Sequence, residues 1–190
     1  MTGERGSVVR GAWSVVRGPW CVVRGPWETT DNRQLTTDNR QPPLPPTDPD
    51  LVVSVGRLER YKGHHRVIAA MPELRRRRPS ARLWIAGAGP AEAELRAQAE
   101  RLGVAPFVEI SAVPPDRRRE MAERVARAGV VALLSDFETQ PIAALEALSL
   151  GRPLVVADRP GLTQLAARGL ADAIDADAPP AQVAAALEAA

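Results

Sequence analysis

From Leu51 onward, short apolar runs alternate with helical stripes, and this alternation restricts the fold more than any other feature. Residues 51–56 form a β-branched run suited to a buried strand, ended by a glycine where the chain must turn. Val67, Ile68, Met71 and Leu74 then recur at helical spacing until Pro79. Residues 81–87 return to strand character, and Pro90 opens a helix with Leu95, Ala99 and Leu102 on one stripe and Gly103 at its close. Residues 108–110 are a weaker strand. Pro114 and Pro115 open a helix carrying Met121, Ala122 and Val125 before Gly129. Residues 130–134 are continuously apolar and short, the clearest strand of the chain. Helix over 141–150, strand over 153–157, a short helix over 162–167, an edge strand over 171–176 and a helix over 181–190 follow. This order predicts an α/β fold: a parallel sheet with helices on both faces, its binding crevice at the carboxyl ends of the strands.

The first fifty residues cannot share that fold. Residues 7–27 hold three near copies of a seven-residue unit, two of them containing Gly-Pro, and two related units occupy 28–41. Repeated glycine and proline break a helix, and an odd period turns a strand's apolar side chains to the opposite face in each copy. Residues 41–49, rich in proline, predict a stiff extended linker. The expected division is therefore 1–50 as an unstructured low-complexity extension and linker, and 51–190 as the folded domain, with its carboxyl end open to truncation.

Several function classes lose their warrant. Cys21 is the single cysteine and His64 and His65 the only histidines, so neither a disulfide nor a spaced zinc site is expected. The net charge is only +2, and few aromatic residues follow the repeat, so the arginine clusters 75–78 and 117–119 predict solvated faces rather than a nucleic-acid surface. No run is long and apolar enough for an integral membrane segment, which makes a cytoplasmic location the default expectation. Neither a Gly-x-Gly-x-x-Gly fingerprint nor a Gly-Lys-Ser/Thr phosphate loop occurs.

The chemistry-bearing residues fall in loops after the predicted strands. Arg57 and Lys62, bracketed by Gly56 and Gly63, suit a diphosphate, with arginine offering a fork and lysine a point charge. The alternative is an Arg57–Glu59 pair beside an exposed Lys62. Gly87 and Gly89 permit a tight strand-to-helix turn whose helix terminus can receive an anion, or are an ordinary turn. Pro141 at the first helical position places Glu138 in the preceding loop with Thr139 and Gln140, and Glu146 about 7 to 8 Å along the axis. Glu146 lies among Ile142, Ala143, Ala144, Leu145, Ala147 and Leu148, where a carboxylate needs a partner. Two such carboxylates suit hydroxyl pairs of sugars, and a neighbouring cation is the alternative partner for Glu146.

Three signatures now carry a resemblance: Gly56-Arg57-Leu58 followed by Lys62-Gly63; Gly87-Ala88-Gly89-Pro90; and Glu138 with seven residues before Glu146, followed by Gly151-Arg152-Pro153. From Leu51 to about Ala176 the chain resembles the carboxyl-terminal, donor-binding domain of the retaining glycosyltransferases of family 4 (glycosyl transferases group 1), whose complete members have the two-lobed GT-B fold. The resemblance implies a Rossmann-like domain that binds a nucleoside-diphosphate sugar (UDP- or GDP-sugar) as donor substrate, with no other cofactor and no metal. It implies that Arg57 and Lys62 hold the diphosphate and stabilise the departing nucleotide, Glu138 contacts the donor sugar, Glu146 binds ribose, and the backbone at Thr139 and Gln140 approaches sugar or phosphate.

Two departures qualify it. Many relatives have Gly-Phe-Gly where this chain has Thr139-Gln140-Pro141, which loosens any inference about the sugar. Residues 1–50 cannot build the amino-terminal, acceptor-binding lobe, so a separate lobe or polypeptide is the expected partner. A hexosyltransferase donor half is the leading expectation; a noncatalytic α/β interaction module or inactive fragment is the alternative.

Overall fold

A computed structural model of the chain describes residues 14–16, 22–24 and 44–190. The chain divides between Pro42 and Pro43 into two units. In the first, β1 (Ser14–Val16) and β2 (Val22–Arg24) pair antiparallel, Val15 opposite Val23. The expectation of an unstructured extension did not include this ribbon; the other residues of 1–43, on which it mostly rests, lie outside the described residues.

The second unit runs β3 (Asp48–Val55), α1 (His64–Arg77), β4 (Arg82–Ala86), α2 (Glu92–Arg101), β5 (Val108–Ser111), α3 (Arg118–Ala126), β6 (Ala128–Leu133), α4 (Ile142–Ser149), β7 (Leu154–Ala157), α5 (Thr163–Ala167), β8 (Asp172–Ile174) and α6 (Pro180–Ala189). The six strands of this unit form one parallel sheet in the order β5-β4-β3-β6-β7-β8. The predicted α/β architecture is the observed one.

Strand periodicity divides the core in two. Val52, Leu83, Ile85, Val130, Ala132 and Val155 face one side, where Val67, Ile68, Met71, Leu74, Leu95, Val183 and Leu187 cover them from α1, α2 and α6. Their neighbours Val53, Trp84, Val131, Leu133 and Val156 face the other, under Val125 of α3, Ala144 and Ala147 of α4 and Leu165 of α5. Near-continuous apolar runs are what a sheet covered on both sides demands.

Two boundaries differ from expectation. β3 begins at Asp48, inside the segment read as linker, because Asp48 pairs with Ala128 and its amide donates to Arg127 O at 2.8 Å. Gly129 does not precede its strand but lies within β6, where an added Cβ would stand 2.5 Å from Pro49 O. That close approach of two backbones requires the glycine. Pro72 lies inside α1 without ending it, and buried Ile68, Met71 and Leu74 hold the helix to the sheet around it. Among the described residues no helix is long and apolar enough to cross a membrane.

The chain order runs outward one way from β3 to β5 and then returns to start outward the other way at β6. The carboxyl ends of β3 and β6 thus flank a topological switch point, the place where sheets of this kind bind their ligands.

Candidate functional site

Backbone hydrogen bonds stitch four loops along this edge. Gly56 N donates to Ala86 O at 3.0 Å, Leu58 N to Ala88 O at 3.0 Å, and Ala91 N to Leu58 O at 2.9 Å, joining the loops after β3 and β4. Asp136 N donates to Tyr61 O at 2.7 Å across the switch point, and Glu138 N to Pro160 O at 3.0 Å toward the loop after β7. An added Cβ at Gly87 would lie 1.9 Å from Gly56 O, and one at Gly89 2.6 Å from Leu58 O. Contact between loops thus accounts for these two glycines directly. Gly63, at φ +72°, turns the chain into α1 against Leu134 O.

Lys62 and Glu138 meet between the loops after β3 and β6. Lys62 Nζ donates to both carboxylate oxygens of Glu138, at 2.8 and 2.9 Å, although the two residues are 76 positions apart. Their side chains are only 16% and 12% exposed, and Ser135 Oγ donates a further bond to Glu138 Oε1 at 2.8 Å. Beside them Arg66 of α1 binds Leu134 O at 2.7 Å and Asp136 Oδ1 at 2.6 Å. Tyr61 and Phe137 stack with ring centroids 4.8 Å apart. Phe137 keeps half its surface exposed beside the switch point. The cluster can present a cation and a carboxylate to one polar ligand, with each held in place before that ligand arrives.

The other expected residues are placed less uniformly. Arg57 is exposed and its guanidinium pairs with Glu59 at 2.9 Å, the alternative left open by the sequence; Lys62 is not the free surface cation that alternative supposed. Thr139 and Gln140 are exposed in the loop before α4. Pro141 is the residue preceding α4 rather than its first member, and no side chain caps that helix. Glu146 is half-buried: Ala144 and Ala147 turn inward, whereas Ile142 and Leu145 are exposed. Its carboxylate has no hydrogen-bond partner among the described residues, and burial pushes its pKa up, opposed by the charge of Arg118. The cost of burying it is thus met by partial exposure rather than by an ion pair.

The start of α2 is acidic. Its first turn carries Glu92 and Glu94, which already place negative charge at the positive end of the helix and bind Arg96 and Arg60. Among the described residues no group of three His, Cys, Asp or Glu side chains could hold a metal ion. Ser135, Arg66, Asp136 and the Tyr61–Phe137 stack were missed as individual contributors. Their segments were legible as rim loops and a helix, but partnerships across so long a separation leave no trace in spacing.

Residues 36–189 match the model of the glycosyl transferases group 1. The chain belongs to this family. It is 37% identical over 125 residues to a glycogen synthase of Mycobacterium tuberculosis, covering 66% of this chain and 30% of that protein. It is 39% identical over 121 residues to a GDP-mannose-dependent alpha-(1-6)-phosphatidylinositol monomannoside mannosyltransferase of Mycolicibacterium smegmatis, covering 60% and 31%. Among solved structures it is similar to WaaG, a glycosyltransferase involved in lipopolysaccharide biosynthesis, at a TM-score of 0.64 and 25% identity over 74% of this chain and 37% of that one. The Anabaena protein HepE, solved with UDP and glucose, shares the fold at a TM-score of 0.64 and 22% identity, with 74% and 38% covered. The chain therefore spans about a third of the length of these relatives, and corresponds to one half of a GT-B fold.

Proposed function

We propose that the unit from β3 onward, residues 48–190, is the donor-binding domain of a retaining, metal-independent family 4 glycosyltransferase, which receives a UDP- or GDP-sugar and supplies half of the site for hexosyl transfer to an acceptor. The residues before β3 are an appended extension and linker, and a second lobe or polypeptide brings the acceptor. In this reading the chain works in the cytoplasm, and nucleic acid is not a partner. The arginine clusters agree, since Arg76 and Arg77 bind Glu73, Arg78 binds Asp50, and Arg119 binds Glu123.

The observation that carries the proposal is the Lys62–Glu138 pair, set between the loops that diverge at the switch point. Lys62, joined by Arg57 when it leaves Glu59, stabilises the negative charge that grows on a departing nucleoside diphosphate. Glu138, oriented by Lys62 and Ser135, keeps lone pairs for sugar hydroxyls. Glu146 is available to the ribose, and the backbone at Gly56, Gly87, Gly89, Thr139 and Gln140 lines the approach. Calorimetric titration of the full chain with a panel of nucleotide sugars tests this: Arg57→Ala and Lys62→Ala are expected to lose binding while circular dichroism stays unchanged. A folded wild-type chain that binds no member of the panel contradicts it.

One observation favours a noncatalytic interaction module as the second reading. Phe137, Ile142 and Leu145 are 51%, 59% and 56% exposed along the rim and the adjoining face of α4. A protein complex that survives Lys62→Ala and Glu146→Ala but is lost in Leu145→Glu would select that reading.

A further inference from the structure

Beneath the loop bearing Arg57 and Lys62 lies a buried polar pair with no task in the chemistry above. His64, the first residue of α1, and Ser54 of β3 are each 1% exposed. Ser54 Oγ is 2.9 Å from His64 Nδ1, and His64 Nε2 is 3.2 Å from the carbonyl oxygen of Arg57. A carbonyl can only accept, so Nε2 carries a proton and donates to it. In the neutral ring Nδ1 is then an acceptor, and the Ser54 hydroxyl must donate to it. Burial lowers the His64 pKa to about 4, which makes the neutral ring the form present near neutral pH.

The geometry ties this ring to both cations. The Arg57 carbonyl accepts from Glu59 N at 2.8 Å as well as from His64, so the imidazole takes its second bond. An added Cβ at Gly56 would lie 3.6 Å from His64 Nε2 and 3.5 Å from Lys62 Cδ, placing the ring, the glycine and the lysine stem in one packed layer. Neither group is exposed to a ligand. Their effect reaches the switch point through the backbone of residues 56–62.

We propose that His64, held in one tautomer by the Arg57 carbonyl while Ser54 donates to its other nitrogen, is a positioning residue that fixes the backbone at Arg57 and thereby the presentation of Arg57 and Lys62 to a nucleoside diphosphate; its ligand half rests on the donor-site reading given above. The bond at Nε2 matters, whereas the imidazole as such does not. A glutamine amide can reach the place of Nε2, and an asparagine amide reaches only the place of Nδ1.

The test uses the full chain with UDP and GDP as probes. Nitrogen-15 spectra of the histidines should show His64 protonated at Nε2. Loss of the bond in His64→Asn should weaken nucleotide binding by up to about tenfold and speed amide exchange over residues 57–62, and His64→Gln should return both to within about twofold of wild type. A ring protonated only at Nδ1, or equal effects of the two variants, overturns the proposal. Should His64→Asn not fold, Ser54→Ala replaces it: Nε2 stays protonated on the Arg57 carbonyl while Nδ1 loses its donor, so faster exchange over residues 57–62 and a smaller loss of affinity are expected; unchanged exchange and unchanged affinity count against the role. If wild type binds neither nucleotide, the donor-site reading fails, and the tautomer and exchange measurements alone decide whether His64 holds the loop.

Discussion

The two ends of α1 use the same chemistry in opposite ways. At its carboxyl end Glu73 binds Arg76 and Arg77 at 2.7 and 2.9 Å, partners three and four positions on, with the arginines also complementing the helix dipole. At its amino end Lys62 and Arg66 reach residues 76 and 70 positions away, and the Lys62–Glu138 pair is largely withdrawn from water. From this end Arg77 also reaches Glu188 of α6 at 3.2 Å and Arg78 reaches Asp50 at 3.1 Å, but these contacts lie toward solvent, where an ion pair fixes little. A remote, half-dry pair fixes two loops against each other at the edge where a ligand would enter, and removing one partner strands the other in low dielectric.

The largest effect that distinguishes the two ends is expected at Lys62. Lys62→Ala should lower stability by about 3 kcal/mol, the low end of the range for breaking a buried pair, measured by urea unfolding. Adding Glu138→Gln should recover part of that loss, so a double-mutant cycle reports coupling between them. Additive effects would place this pair in the same class as the surface pairs.

Next comes the buried base beneath that loop. The pKa of His64 falls from 6.5 to about 4 on folding, so between these values the unfolded chain binds more protons than the folded one. Stability is therefore complete above about pH 6.5 and is lost as pH falls toward 4, by about 3 kcal/mol. His64→Gln should flatten that slope, as read from thermal or urea midpoints across the interval.

Glu146 is expected to act in the reverse sense. Its pKa is raised by burial, so its ionised form opposes folding once pH rises above the ordinary carboxylate range. Glu146→Gln should raise the unfolding midpoint slightly at neutral pH while weakening UDP binding. A variant that loses stability as well would point to a structural partner for the carboxylate. The smallest effect belongs to the other end of α1: Glu73→Ala should leave nucleotide binding unchanged and the neutral-pH midpoint nearly so. Glu73 has its pKa held down at about 2 by Arg76 and Arg77, so its contribution is present above the ordinary carboxylate range and fades as pH falls toward 2. Acid titration of the midpoint in this variant checks the sign.

This contrast also sets what could be read without coordinates. Helix and strand periods are local, so Val130 to Leu134 and the stripe of Val67, Ile68, Met71 and Leu74 announced their elements, and their alternation announced the parallel sheet. Edges were less secure because they depend on neighbours: Asp48 became strand through pairing at Ala128, and Gly129 stayed in β6 because Pro49 passes close by. In the candidate site the loops were legible from glycine and charge at strand ends. The Lys62–Glu138–Ser135 cluster and the Ser54–His64–Arg57 chain were not, since tertiary contact alone selects such partners.

The central claim is that the switch point between β3 and β6 receives a nucleoside diphosphate through Lys62. A crystal structure of the full chain with UDP tests it most directly. The account predicts diphosphate oxygens within hydrogen-bond distance of Lys62 Nζ, the Arg57 guanidinium turned from Glu59 toward them, and the ribose hydroxyls at Glu146. UDP bound elsewhere on the chain, with Lys62 buried against Glu138 and beyond its reach, would contradict it.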